Sequence, residues 1–569
     1  MTNVHGKERG PPSSPSGGRH ILLITYEFNY SPFSGNGILA QSLVKSLCAI
    51  NDEDGRPSVH LTVWCCRPHE DHETSPTPIS LATSKNDPEP QNVTVFTSNL
   101  SQQAGWKRVD VHSGWKEFEF CSLSPSGQQE LLRRLDGSPS VESFQSVCVV
   151  DWTGAHAYRS LVKQVKARDP SSTKSSLPPV VYLNFRVYSS GLQTAGDVPS
   201  LTTSNLQEWY DQMELAALQN ASITLALSDH DRQTLHELWC KQKVEDVRDS
   251  RRQSPKSWKE VHVLPPPLRG DIQALALQRK EHEGEGQSHE KFLSRHLPSA
   301  VKSKLDEYDK ALSENNDRHH RCLITCVVRM SPEKDTLRFA HFCETFRDII
   351  REKGYIVVLA GAASDDKYAR RVKDDLQRVF ANPADSDGRN NDSDCLVIIE
   401  SFISPMALAA IFSRSILNFH PCAYEAYGMT IIEAAAFGVP SILACGSQVG
   451  ASSTLMRDTG ETRDERNNET ELGCTCIQVP MDQPVHVADG FALPELSNEA
   501  KNQIYPYLTD HTQLLSIGNR ARERALAWDE ATYGRELYHH ITSVSKSVET
   551  KRRHAHDLGT SLGFATLPN

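Results

Sequence analysis

The stretch Asn418 to Cys445, NFHPCAYEAYGMTIIEAAAFGVPSILAC, decides how the rest of this chain is read. Ser415 to Phe419 and Ser441 to Cys445 are short apolar runs with the character of buried strands. Between them the pattern predicts a turn holding His420, Pro421, Cys422 and Glu425. A short helix follows, starting near Gly428–Met429 and stopped by Gly438 and Pro440. Glu425 and Glu433 have seven residues between them, so Glu425 falls in the loop before the helix and Glu433 one turn inside it. Both belong to the same end of the sheet. The free N–H groups of the first turn, around Gly428, Met429, Thr430 and Ile431, favour an anion. Two carboxylates beside an anion site make sense when they bind the neutral, hydroxylated parts of the same ligand. A nucleoside diphosphate sugar has that layout, with phosphates for the helix end and ribose and sugar hydroxyls for the carboxylates.

With His-Pro before the pair, Gly428 between its members and Ala-Phe-Gly-Val-Pro after it, the stretch resembles the Glu-x7-Glu motif of group 1 (family 4) retaining glycosyltransferases. A second segment agrees. Cys322 to Val328 reads as a buried strand, and Arg329-Met330-Ser331-Pro332-Glu333-Lys334-Asp335 resembles that family's Gly-Arg-x-x-x-x-Lys-Gly turn, with Val328 and Asp335 replacing its glycines. The resemblance implies a GT-B fold: α/β, two Rossmann-like doubly wound domains facing across a cleft. It also implies transfer of a sugar, expected to be a hexose, from a nucleoside diphosphate sugar to an acceptor, with retained anomeric configuration. Arg329, Lys334 and the helix N-terminus at Met429–Thr430 would stabilise the departing diphosphate with neither metal nor cofactor. Glu433 would hold the ribose, and Glu425 the transferred sugar.

Size and composition fit two large domains with insertions: 569 residues, 38% hydrophobic and 7% aromatic. A formal charge of −11 argues against nucleic acid as a main partner, since a phosphate footprint needs a basic face. The 14 cysteines, including Cys65–Cys66, Cys322–Cys326 and Cys474–Cys476, lack zinc spacing and read as reduced thiols. That suits a cytoplasmic protein, or one peripheral on the cytosolic face of a membrane. No run reaches the roughly 18 apolar residues of a transmembrane segment, and residues 1–19 show no signal-peptide pattern.

Strand-like runs at His20–Thr25, Val59–Cys65, Val93–Phe96, Val147–Val150, Val180–Leu183, Ile223–Leu227 and Val261–Leu264 alternate with helical stretches, the doubly wound signature. Gly35-Asn36-Gly37-Ile38-Leu39-Ala40 fits the G-x-G-x-x-A dinucleotide fingerprint. That fingerprint wants its first glycine directly after the strand, and here the nine residues Tyr26 to Ser34 intervene. Gly35 and Gly37 are therefore read as a loop closing on the sugar nucleotide at the cleft. On the acceptor side the family often places a histidine in a His-Asp pair after a strand; this chain has Asn184-Phe185-Arg186. Asn184 and Arg186 become acceptor-side candidates, with His156 as a substitute histidine that also reads as a helix cap. Asp229-His230-Asp231, Asp385-Ser386-Asp387 and Asp392-Ser393-Asp394 mimic a metal-binding Asp-x-Asp and are read as chance.

The expected organisation is a polar tail at 1–19, an acceptor domain at 20–270, and a charged linker at 271–318 that is helical at 301–313. A donor domain at 319–527, a helix at 528–547 crossing back to the first domain, and a loose tail at 548–569 complete it. The expected partners are a nucleotide-sugar donor and a carbohydrate, lipid-linked or small-molecule acceptor. A non-catalytic sugar-nucleotide-binding protein of the same fold is the rival reading.

Overall fold

The computed structural model describes residues 18–30, 35–67, 81, 90–100, 117–135, 143–168, 177–188, 203–248, 260–281, 292–315, 321–363, 365–381, 395–445, 448–456, 475–481, 485–487, 490–492 and 496–561. Two parallel sheets carry the fold. The first comprises β1 (Arg19–Ile24), β2 (Val59–Arg67), β3 (Val93–Asn99), β4 (Ser146–Val150), β5 (Val180–Asn184), β6 (Ile223–Ala226) and β7 (Val261–Val263), in the order β3-β2-β1-β4-β5-β6-β7. The second comprises β8 (Leu323–Val327), β9 (Ile356–Ala360), β10 (Leu396–Ile399), β11 (Ser415–Phe419), β12 (Ser441–Ala444) and β13 (Ile477–Val479), in the order β10-β9-β8-β11-β12-β13. Every residue of β4, β5, β8, β9 and β11 is buried, as expected of parallel strands covered by helices on both faces. In each sheet the strand order reverses once, between β1 and β4 and between β8 and β11. Loops leaving such a switch point diverge and open a crevice at the strands' C-terminal ends. The loops after β8 and β11 hold Arg329, Lys334 and Glu425.

Helices knit the two domains together. Leu268 N–H donates to the Trp528 carbonyl at 3.0 Å, and the Trp528 indole N–H donates to the Pro265 carbonyl at 3.1 Å, where the two connecting segments run side by side. The helix Glu530–Ser561 then returns to the first domain and lies on the helix Gly35–Cys48. The helices touch so closely that a Cβ at Gly534 would come within 2.6 Å of the Ser46 carbonyl oxygen. Further along, the Ser545 and Ser146 hydroxyls share a hydrogen bond of 2.8 Å.

The segment read as a charged linker holds two packed helices. Gly270–Glu281 buries Ile272, Leu275 and Ala276 against the helices Pro405–Arg414 and Met429–Ala436. Ser299–Asn315 buries Val301 and Leu305, and its Asp309 accepts from Arg414 at 3.1 Å. Three apolar residues on one helical face suffice to dock a short helix, although the surrounding charges dominate its composition. Residues 282–291 and 316–320 lie outside the described residues, as do 1–17, the Asp-x-Asp runs at 385–394 and the end of the C-terminal tail. No helix among the described residues is long and apolar enough to cross a membrane.

Candidate active site

The second domain presents its charges on two loops. After β8 the chain makes a single 3-10 turn, Pro332–Lys334, and leaves it through Asp335 in the left-handed conformation at φ 50°. A glycine would adopt that conformation freely. Here the Asp335 carboxylate is anchored by the buried Arg338 guanidinium at 2.6 Å, which holds the turn in place. The turn aims Arg329 at Glu333 in an ion pair and Lys334 at the Glu425 carboxylate.

Glu425 stands on the loop after β11, and its backbone is locked from both sides. Its N–H donates to the Gln448 carbonyl and its carbonyl accepts from Gly450 N–H, each at 3.0 Å. His420 Nε2 lies 3.6 Å from the same carboxylate. Burial opposes the charged form of Glu425, but the Lys334 ammonium, and after it His420, hold its pKa well below the usual carboxylate range. Three residues on, Gly428 takes φ 90° to start the helix Met429–Ala436. A Cβ there would sit 2.7 Å from Ile431 Cδ1. Glycine brings no side chain to cap the helix, so the first turn at Met429 and Thr430, entered from the loop after β11, has no side-chain cap. Glu433, one turn inside, is buried and pairs with Arg269 Nη1 at 3.3 Å; Arg269 also holds Asp271 at 2.7 Å. Burial pushes the Glu433 pKa up against the pull of Arg269.

The first domain meets these loops with the ends of β4, β5 and β6. Asn184 is buried and donates to the Tyr182 hydroxyl and to the Arg186 carbonyl, both at 3.1 Å. Arg186 reaches across to the second domain, its Nη1 lying 3.7 Å from Glu333 Oε2. Burial works against Glu333 as an anion, yet Arg329, Arg186 and Lys334 together hold its pKa at about 2. Tyr424, next to Glu425, donates to Asp231 Oδ1 at 2.9 Å and joins the domains a second time. Ser228 caps the helix that carries Asp231 and accepts from Asp231 N–H at 3.1 Å. Asp151 follows β4 at φ 51° and accepts from Phe185 N–H at 2.7 Å, Asn36 Nδ2 at 3.0 Å and the Tyr188 hydroxyl at 3.3 Å. Burial raises both Asp151 and Asp231 to about 7 despite these donors.

Arg329, Lys334, Glu425 and Arg186 are thus brought together, with the Met429–Thr430 helix end beginning four residues beyond Glu425. Gly35 and Gly37 open the helix Gly35–Cys48, whose Asn36 faces Asp151 rather than a strand-end glycine turn. His156 goes elsewhere: its Nε2 lies 3.1 Å from Glu119 on the partly exposed flank of the first domain. Sequence reasoning passed over Arg269, Glu333 and the Tyr424–Asp231 contact. Glu333 carried a signal, four residues after Arg329, the spacing of a turn-closing ion pair. Arg269 and Asp231 carried none, because their partners are 164 and 193 residues away.

Among the described residues, one side-chain group has metal-ligand types, His420, Cys422 and Glu425, with ligand atoms within 4.8 Å of one another. It does not fit a cation. Lys334 already neutralises Glu425, and burial pushes the Cys422 thiol far up, so that it stays protonated. Of the Asp-x-Asp runs, Asp229 pairs with Arg232 at 2.9 Å and Asp231 with Tyr424, which leaves no shared chelating geometry at that pair.

No protein-family model matches the chain, and no curated protein matches it either. Solved structures do. The chain is similar to an alpha,alpha-trehalose-phosphate synthase (UDP-forming) from Burkholderia vietnamiensis, with TM-score 0.54 and 12% identity over 93% of this chain and 98% of that one. The same holds for a trehalose-6-phosphate protein from E. coli bound with UDP-2-fluoro glucose, with TM-score 0.54 and 12% identity over 92% and 99%. The N-terminal domain of Candida albicans trehalose-6-phosphate phosphatase gives TM-score 0.53 and 12% identity over 94% and 99%. At such identities the likeness establishes the fold: two facing Rossmann-like domains of the GT-B type.

Proposed function

We propose that this GT-B chain is a retaining, metal-independent glycosyltransferase that moves a hexose from a nucleoside diphosphate sugar to an acceptor hydroxyl. The observation that carries the reading is the convergence of Arg329, the Lys334–Glu425 pair and a glycine-started helix N-terminus at one switch point. Negative charge grows on the diphosphate as the glycosidic bond breaks. Two side-chain cations and a helix end meet that charge without a metal. Glu425 stays ionised at any physiological pH, so it cannot serve as a proton donor; it fits a hydrogen-bond acceptor for sugar hydroxyls and a counter-charge to the anomeric carbon. Glu433, deeper and paired with Arg269, fits the ribose hydroxyls. No side chain among the described residues stands out as a covalent nucleophile, so departing phosphate and incoming hydroxyl would share one face of the sugar, which retains configuration. The E. coli neighbour's ligand, UDP-2-fluoro glucose, makes a uridine diphosphate hexose the first donor to test. The Glu-x7-Glu resemblance favours the group 1 family within the fold, and the free thiols among the described cysteines favour the cytosol.

A non-catalytic nucleotide-sugar binder is the second reading, favoured by Asn184-Phe185-Arg186 where the family often has His-Asp. A panel of nucleoside diphosphate sugars should first be ranked by thermal stabilisation, since a bound donor stabilises by mass action. The best donor is then followed for turnover in EDTA. Turnover is the expected result. Saturable binding with no turnover would favour the binder, and activity lost to EDTA and restored by manganese would overturn metal independence.

A further inference from the structure

We infer that Arg186, from the first domain, is the third cation of the diphosphate site, and that Glu333 occupies the place of the diphosphate until the donor arrives. The inference rests on the donor reading of the cleft and moves Arg186 from the acceptor side, where its position in the sequence put it, to the donor side.

Arg186 Nη1 and Glu333 Oε2 are 3.7 Å apart, close enough for charge attraction but too long for a hydrogen bond. The same Glu333 carboxylate is held by Arg329, so one acid gathers a guanidinium from each domain. Lys334, the next residue, adds its ammonium beside these two guanidinium groups and keeps Glu425. The base of Arg186 is rigid: its carbonyl accepts from the buried Asn184 amide at 3.1 Å, and its guanidinium lies over the Tyr188 ring at 5.6 Å from the centroid. The side chain is not fully buried, at 28% exposure, and its guanidinium already meets a carboxylate of the other domain. A planar guanidinium with several N–H donors suits two phosphate oxygens better than a single carboxylate at long range.

Charge balance points the same way. Arg186, Arg329 and Lys334 face Glu333 and Glu425, three cations against two carboxylates. If Glu333 yields its place, three cations against Glu425 alone leave two positive charges, which matches the two negative charges of a diphosphate diester. Because Arg186 follows β5 of the first sheet and Arg329 follows β8 of the second, an anion held by both would also favour the closed arrangement of the domains.

Calorimetric titration of UDP and of inorganic pyrophosphate into the full chain tests this, pyrophosphate serving as a probe free of any base. Arg186→Gln should weaken both probes by about 10- to 100-fold, the loss expected for a hydrogen bond to a charged group. Arg186→Lys, which keeps the charge, should recover part of that loss. Glu333→Gln should do the opposite and tighten both probes several-fold, because it removes the competing anion. An Arg186→Gln variant that binds both probes like the wild type would overturn the inference, and so would Glu333→Gln weakening them. Lys334→Gln separates the premises. If it too leaves both probes unaffected, the donor reading of the cleft has failed; if it weakens them while Arg186→Gln does not, only the role of Arg186 has. Thermal melting of each variant, with a midpoint near the wild type's, establishes that the loss is one of contact and not of fold.

Discussion

Replacing Glu425 with Gln removes one charge at nearly constant volume and separates transition-state chemistry from binding. In the structure this carboxylate carries the Lys334 ammonium, with the two side chains 16% and 18% exposed, and His420 Nε2 lies at 3.6 Å. A fixed charge aimed at a reacting centre in so shielded a place contributes roughly 10²- to 10³-fold to turnover, about 3–4 kcal/mol. Turnover of the donor should fall by that factor. Affinity for nucleoside diphosphate should not fall, since the substitution removes an anion beside the ammonium proposed to bind phosphate; it should stay level or rise several-fold. Losing the counter-ion leaves Lys334 partly buried and unpaired, so stability should drop as well, by up to about 3 kcal/mol. Calorimetry with UDP, steady-state turnover and a urea melt on one preparation give the three numbers. A variant that turns over normally but binds nucleoside diphosphate tenfold more weakly would refute the role given to Glu425.

Three further outcomes follow from the same geometry. Glu433→Gln should weaken nucleoside diphosphate and intact donor alike, by about 10- to 100-fold, with kcat nearly unchanged; a kcat defect with normal affinity would place Glu433 at the reacting sugar instead. Asp231 has a folded pKa raised by burial from 3.8 to about 7, so the folded state binds the extra proton and stability falls as pH rises from about 4 to about 7. Asp231→Asn should therefore be more stable than the wild type at pH 8, with the difference closing at pH 4, and thermal melts at the two pH values read this directly; a constant difference would mean that Asp231 does not titrate across that range. Gly428→Ala forces an L side chain into φ 90°, with its Cβ 2.7 Å from Ile431 Cδ1. About 1–3 kcal/mol of strain at the helix start should lower both the melting temperature and nucleoside diphosphate affinity, and wild-type values for both would show that the helix end is not part of the site.

What the sequence by itself determined was local or periodic. Four- to seven-residue apolar runs separated by amphipathic stretches are dictated by burial on both faces of a parallel sheet, so the seven strands of the first sheet and most of the second could be read before any coordinates, while the three-residue β13 could not. Glu425, Gly428 and Glu433 were legible because they share one loop and one helix, where spacing translates directly into geometry. Arg329 and Lys334 were legible because they follow a buried strand within one turn. Tertiary structure decided what depended on distant segments meeting. Glu433 is paired by Arg269 from beyond the Pro265-Pro266-Pro267 run, Asp231 receives the Tyr424 hydroxyl, and Arg186 faces Glu333 across the cleft. None of these contacts has a sequence period, because each is set by how one Rossmann-like domain docks on the other. The helix Gly270–Glu281 is the same case: its charge pattern reads as a solvated linker, and only the groove that receives Ile272, Leu275 and Ala276 makes it part of the second domain. Burial, too, is tertiary. The sequence places Asp151 and Asp231 at strand and helix ends, but the packing around them is what raises both toward neutral pH.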